Sequence, residues 1–180
     1  MLLRHRSKLK QGLRFGLFNP VKPRQSRAMT RAKPHRTFWE STPLEDLSSQ
    51  EWEALCDGCG RCCLLKLEDE DSGEVAFTNI SCRLFDQESC RCGQYALRKQ
   101  LVAGCVVLTA ENIERNAYWM PATCAYRLRY EGKPLPDWHP LVSGDPATVH
   151  TAEMSMRGKV IPEFDVDEDD LEDYVIEGIL

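Results

Sequence analysis

The sequence lacks any apolar run approaching the ~18 residues that a membrane-spanning helix needs. Its basic N-terminal part contains the apolar stretch Leu13–Phe18, which is too short and too interrupted for the core of a signal peptide. We therefore expect a cytoplasmic protein with no membrane partner. In that compartment thiols stay reduced.

Several catalytic signatures are also absent. The chain has no glycine-rich phosphate loop, no G-x-S-x-G elbow and no H-E-x-x-H motif, and paired histidines do not follow paired cysteines as in zinc fingers. Aromatic residues make up only 8% of the chain, which predicts a modest apolar core. A small core gains most from metal cross-links. Whether the protein is an enzyme stays open.

Acidic residues are missing from residues 1–37, which carry 11 of the 23 lysines and arginines. This stretch predicts a disordered basic extension, which is either an arm for nucleic acid or anionic lipid or a simple extension preceding a start at Met29. All 28 acidic residues follow, nine of them within Glu163–Glu177. The acidic body of residues 38–180 disfavours nucleic acid, and its C-terminal end predicts a solvated helix that could also contact a protein partner.

The sequence is rich in cysteine, with nine residues. The odd count and the expected reducing compartment argue against a disulfide scaffold and favour a metal site. Cys56, Cys59 and Cys62 are spaced so that one tight loop can turn several sulfurs toward one centre, and thiolates select zinc, Cu(I) or iron–sulfur clusters. Cys63 directly follows Cys62, and adjacent side chains point in different directions. We therefore expect Cys63 to serve a second site or a neighbouring face. Arg61 and Lys66 are expected to offset thiolate charge.

Local patterns predict a small, irregular α+β domain of short helices and a β-hairpin gathered around this cysteine cluster. Ser48 and Glu51 have the spacing of a capping box at the start of a helix. The remaining predicted elements are strands at 64–67 and 74–78, helices at 95–102, 110–115 and 124–132, a loop at 134–150, a strand at 155–161 and a final helix after Asp165.

These cysteine motifs resemble those of the YcgN-type proteins within the YkgJ-like family of bacterial cysteine-cluster proteins. The matching segments are CDGCGRCC from Cys56, SCR from Ser81, SCRCGQY from Ser89, TCAYR from Thr123 and WHPL from Trp138. The resemblance implies a domain that chelates zinc or iron through eight shared cysteines. By motif these are Cys56, Cys59, Cys62, Cys63, Cys82, Cys92, Cys105 and Cys124, which leaves Cys90 as the extra one.

Eight thiolates suit two four-sulfur sites, or one cluster with spare thiols. His139 is the best histidine for a ligand or general base, although it could equally pack beside Trp138 and bond a backbone carbonyl. Three functions follow: a metal-binding protein in metal handling or redox, an iron–sulfur redox protein or enzyme, or a zinc-stapled protein-interaction module. We expect the metal-free chain to be largely unfolded.

Overall fold

The structure is a computed structural model that describes residues 37–179. The predicted basic extension and the alternative start at Met29 therefore lie outside the described residues, apart from Thr37. Within the described part, the chain forms short helices and small sheets, as the predicted α+β class requires. No helix in this part is long and apolar enough to cross a membrane.

The α-helices that the structure describes have only four to six residues each. They are α1 Phe38–Ser41, α2 Ser49–Ala54, α3 Arg98–Leu101, α4 Ile113–Asn116, α5 Ala125–Tyr130, α6 Pro140–Ser143 and α7 Thr148–Thr151. Short 3-10 helices cover Leu44–Asp46, Arg61–Cys63, Tyr95–Leu97, Glu163–Asp165 and Glu168–Tyr174. Helices this short have little stability of their own and depend on tertiary packing.

Helix α2 leads the chain to the first cysteine. The predicted capping box is confirmed: the Glu51 amide donates to Ser48 Oγ at 3.3 Å, and the Ser48 amide donates to Glu51 Oε2 at 3.0 Å. The helix ends at Ala54, two residues before Cys56.

The main sheet is built on the predicted hairpin. Strands β1 (Leu64–Glu68) and β2 (Val75–Ser81) pair antiparallel, and Asp69 Oδ1 accepts from the Ser72 amide at 2.7 Å in the turn between them. Strands β5 (Ile161–Pro162) and β6 (Val175–Ile176) also pair with β2, parallel and antiparallel respectively. A second, two-stranded sheet joins β3 (Phe85–Asp86) to β4 (Arg91–Cys92).

Two separate groups of buried apolar residues support these elements. The helical cluster consists of Leu55, Ile113, Met120, Ala125, Tyr126 and Leu135. The sheet cluster consists of Leu64, Phe77, Phe85, Cys90, Met156 and Ile179. In the sequence, the cysteine-rich loop after α2 connects Leu55 of the helical cluster to Leu64 of the sheet cluster.

Four local predictions are wrong in detail. The predicted loop at 134–150 contains α6 and α7, and the predicted strand at 155–161 is reduced to β5. The N-cap of α4 is Asn112 rather than Thr109, and the C-terminal acidic segment forms a 3-10 helix rather than an α-helix. In each case the element is so short that tertiary contacts outweigh local propensity.

Candidate metal centre

The loop from Cys56 to Cys63 is shaped by two glycines in the left-handed region. Gly58 has a φ of 76° and Gly60 a φ of 79°, which other residues adopt only with strain. At Gly60 a side chain is also excluded by space, because an added Cβ would lie 2.6 Å from the Phe85 ring. The turn at Gly60 then starts the 3-10 helix that presents Cys62 and Cys63.

Regular elements bring the more distant cysteines toward this loop. Cys82 directly follows β2, and its amide donates to the Cys63 carbonyl at 2.9 Å. Cys92 lies in β4 opposite Phe85, and Cys124 is the N-cap of α5. Cys105 lies in the segment after α3, where its amide donates to the Val102 carbonyl at 3.1 Å. All nine cysteines are free thiols.

A cavity of about 280 Å³ lies beside the loop. Seven of the nine cysteines contribute to its lining, namely Cys56, Cys59, Cys62, Cys63, Cys90, Cys92 and Cys124. Its walls also include apolar side chains such as Leu108, Met120 and Ala125. Within residues 37–179, however, no three His, Cys, Asp or Glu side chains meet in the compact arrangement of a single bound ion. The thiols thus surround a space instead of converging on one point.

The first cysteine group consists of four thiols that line the cavity: Cys56, Cys59, Cys62 and Cys124. Burial, followed by the charge of Cys62, raises the pKa of the Cys56 thiol to about 12. Burial also raises the pKa of Cys59, with further contributions from Asp57 and Cys62, and raises that of Cys124 to about 12. Cys56, Cys59 and Cys124 therefore hold their protons at neutral pH, so a metal must displace these protons when it binds.

The second cysteine group consists of Cys63, Cys82, Cys92 and Cys105. A hydrogen bond to Cys62 and burial raise the pKa of Cys63, and the charges of Cys82 and Cys92 add to this rise. Burial likewise raises the pKa of Cys105, Arg98 opposes this rise, and the charges of Cys82, Cys92 and Cys62 add to it. Cys90 belongs to neither group, since burial raises its pKa while Arg157 and Ser155 oppose the rise.

The two groups meet at the adjacent residues Cys62 and Cys63. The Cys63 thiol donates a hydrogen bond to Cys62, which lowers the pKa of Cys62 to about 7. Cys62 is therefore the thiol most readily ionised in its group. That Cys63 serves a second site or a neighbouring face stays a prediction.

Lys66 lies close to Cys62 of the first group and to Cys63 and Cys82 of the second. Its Nζ lies 4.9 Å from the ring centres of Phe77 and Trp119 and donates to the carbonyl oxygens of Cys62 and Leu64 at 3.0 and 2.8 Å. The hydrogen bond from Cys63 is the largest cause of the lowered Cys62 pKa, and the charge of Lys66 contributes to it. Lys66 therefore offsets thiolate charge at Cys62, as the sequence predicts. Arg61 instead directs its guanidinium toward Thr123 and Met154.

His139 is a structural residue. Its side chain is fully buried, its Nε2 lies 3.0 Å from the Leu55 carbonyl oxygen, and its Nδ1 accepts from the Leu141 amide at 3.1 Å. Both ring nitrogens are therefore engaged by backbone, so neither is available for a metal or substrate. Its contribution is to hold the backbone immediately before Cys56.

Asp57 was not singled out from the sequence, although it lies between two cysteines of the motif. It is only 7% exposed and lines the same cavity. Its Oδ1 accepts from the Cys59 amide at 2.9 Å. An aspartate inside a cysteine motif is an ordinary turn residue, and only its burial reveals that it is unusual.

The fold and site define a small α+β cysteine-cluster domain. Residues 55–125 match the family model CxxCxxCC, described as a "putative zinc- or iron-chelating domain". The matched span contains all nine cysteines. No solved structure matches the chain.

The chain belongs to the UPF0260 family of bacterial proteins. It is 58% identical to a UPF0260 protein of Rhodobacter capsulatus over 142 residues, which cover 79% of this chain and 95% of the relative. It is 57% identical to one from Cellvibrio japonicus over 144 residues, covering 80% and 97%, and 54% identical to one from Marinobacter nauticus over 143 residues, covering 79% and 96%. The resemblance inferred from the cysteine motifs is thus confirmed.

Proposed function

We propose that this chain is a cytoplasmic metalloprotein that holds metal at two adjacent centres, one on each cysteine group. The first centre would use Cys56, Cys59, Cys62 and Cys124, and the second Cys63, Cys82, Cys92 and Cys105. The observation that carries this proposal is the cavity that all four thiols of the first group line, together with the backbone hydrogen bond that holds Cys82 of the second group against Cys63. Four thiolates are the usual ligand set of both structural zinc sites and iron–sulfur clusters.

The residues fit a thiolate-bound metal in charge as well as in number. Lys66 lies near both groups, Arg91 lowers the pKa of Cys56 against the larger effect of burial, and Arg98 acts in the same way on Cys105. A zinc ion with four thiolates carries a net charge of about −2. Cations at the edge of each group would stabilise such centres.

The cavity of about 280 Å³, with its largely apolar walls, has room for either a single zinc ion or an iron–sulfur cluster. A cluster held there would supply one-electron redox chemistry, whereas a zinc ion on four thiolates would be structural.

The test is metal and sulfide analysis of the full chain purified without oxygen, together with its visible spectrum. We expect Cys59→Ser to lose the metal of the first centre and Cys105→Ser that of the second. Cys90→Ser, which removes the cysteine outside both groups, is the matched control and should keep the wild-type metal content. Iron with labile sulfide would support the cluster; zinc without sulfide would identify two structural zinc sites.

Two results would contradict the proposal of two centres. One is a chain that contains no metal when purified and binds none when zinc or iron is added. The other is loss of all metal in either single serine variant while the protein remains folded, because that result requires one joint centre.

A further inference from the structure

The Asp57 carboxylate has one oxygen with an assigned partner and one without. Oδ1 accepts from the Cys59 amide, which fixes the turn, whereas Oδ2 is buried and accepts no hydrogen bond from any residue that the structure describes. A buried carboxylate oxygen without a partner is costly, and the cost is larger for a charged group than for a neutral one. Such an oxygen in a cysteine cavity therefore requires an explanation.

No cation of the described residues supplies the missing partner. Across 37–179 the ion pairs are Arg83–Glu163, Arg127–Glu131 and Lys133–Glu131, and none of them involves Asp57. Both ring nitrogens of His139 are already engaged, and His150 Nδ1 lies 2.8 Å from Ser155 Oγ. The buried carboxylate thus forms no ion pair within the described part of the protein.

The position of Asp57 relates it to the first cysteine group. It lines the cavity together with all four thiols of that group. In the sequence it lies between Cys56 and Cys59, and its Oδ1 accepts from the Cys59 amide. Four thiols and a carboxylate therefore border one cavity, an arrangement that a bound cation would stabilise.

We propose that Asp57, through Oδ2, is an oxygen ligand of the metal at the first centre. This inference rests on the proposed function, since it presupposes metal on Cys56, Cys59, Cys62 and Cys124. Zinc and iron both accept carboxylate oxygen beside thiolate sulfur, with zinc–oxygen bonds of about 2.0–2.2 Å. The Cys59 amide holds the carboxylate in place, as outer hydrogen bonds commonly do for metal ligands.

This ligand sets the first centre apart from a closed four-thiolate site. Five donors for a metal that prefers four make one of them exchangeable, and the carboxylate is the hardest donor of the set.

The test uses Co²⁺ alone as the probe, loaded on the full chain under reducing conditions and examined by cobalt-edge X-ray absorption. Wild-type protein should show sulfur scattering together with an oxygen at a distance of about 2.0–2.2 Å. Asp57→Asn retains Oδ1 as the acceptor for the Cys59 amide but replaces Oδ2 with an NH₂ group that cannot ligate. It should lose the oxygen scattering and weaken one of the two cobalt sites by tenfold or more in chelator competition.

Glu53→Gln is the matched control. Glu53 lines the same cavity, but both of its carboxylate oxygens accept from the Tyr95 hydroxyl at 2.9 Å, so the variant should leave both cobalt sites unchanged. Sulfur-only scattering in wild-type protein would overturn the role of Asp57 even if the asparagine variant did not fold. Wild-type oxygen scattering and cobalt affinity in Asp57→Asn would also overturn it. A wild-type chain that binds no cobalt would instead overturn the proposed function itself.

Discussion

The two cysteine groups are assembled in different ways. Three members of the first group come from one loop of seven residues, Cys56 to Cys62, and the fourth caps α5. The members of the second group come from four separate segments: the end of the loop, the residue after β2, strand β4 and the segment after α3. Three sulfurs of the first group are therefore brought together locally and only Cys124 comes from elsewhere, whereas the second group exists only once the sheet has formed.

The two groups also differ in the clusters that they pack against and in how many of their thiols line the cavity. Cys56 and Cys124 pack against the helical cluster, and all four thiols of the first group line the cavity. In the second group, Cys63 packs against the sheet cluster, while Cys82 and Cys105 do not line the cavity. A metal on the second group would join four separate segments and so close several loops of the unfolded chain. A metal on the first group would fix one turn and close a single long loop, from Cys62 to Cys124.

Removal of all metal should have the largest effect. Binding of a structural zinc contributes about 10–16 kcal/mol, which is comparable with the whole stability of a small domain at about 5–15 kcal/mol. We therefore expect chelator-treated protein to lose its cooperative thermal transition, as followed by circular dichroism. Hydrogen exchange should rise most in β1, β2 and β4, which the second group joins.

The comparison would fail if the metal-stripped protein kept a thermal transition near that of the loaded form. It would also fail if exchange rose only around Cys56–Cys62, because that result would make the local centre the main structural one. Restoring the metal should recover the transition, which controls for damage by the chelator.

The same contrast explains how much could be predicted from the sequence. Cys56, Cys59 and Cys62 follow from spacing. The capping box at Ser48, the hairpin and the helix after Cys124 follow from local patterns of the kind that short-range physics determines. The eight cysteines could be named only through the family resemblance. Their division into groups depends on which segments the fold brings together.

Other features had no local signal. Strand β5 has two residues and exists because Ile161 pairs with Ile80, more than 80 positions earlier. Helices α6 and α7 have four residues each, in a stretch rich in proline and glycine that predicts a loop. The burial of Asp57 depends on the packing around the cavity, so its sequence position predicted only a turn.

Gly60→Ala should give the next largest effect, since Gly60 is where the loop of the first group touches the sheet cluster. The new Cβ would meet the Phe85 ring at 2.6 Å, and a φ of 79° is strained for alanine. Left-handed backbone costs about 1–2 kcal/mol and overpacking about 1–3 kcal/mol. We expect a loss near 3 kcal/mol, seen as a fall of about 6–12 °C in the melting temperature of the metal-loaded protein.

Gly73→Ala is the matched control for backbone strain alone. Gly73 has a φ of 71° and nothing within 4 Å of an added Cβ, so it should lose only about 1–2 kcal/mol. Equal losses in the two variants would show that Phe85 yields to the new methyl group, and that the loop and the sheet cluster are less tightly joined than the contact suggests.

The smallest effect is expected for Lys66→Met, which tests whether the two groups share one counter-charge. Methionine keeps an apolar stem against Phe77 and Trp119 but removes the charge near Cys62 and Cys63. Because thiolates must form when metal binds, loss of a nearby cation should weaken both centres, by about tenfold each, or about 1.4 kcal/mol. Arg98→Met should weaken only the second centre, because Arg98 acts on Cys105. Competition with a chelator measures both affinities.

If Lys66→Met weakened one centre alone, the cation would belong to that group, and the two centres would be electrostatically independent despite the contact between Cys62 and Cys63.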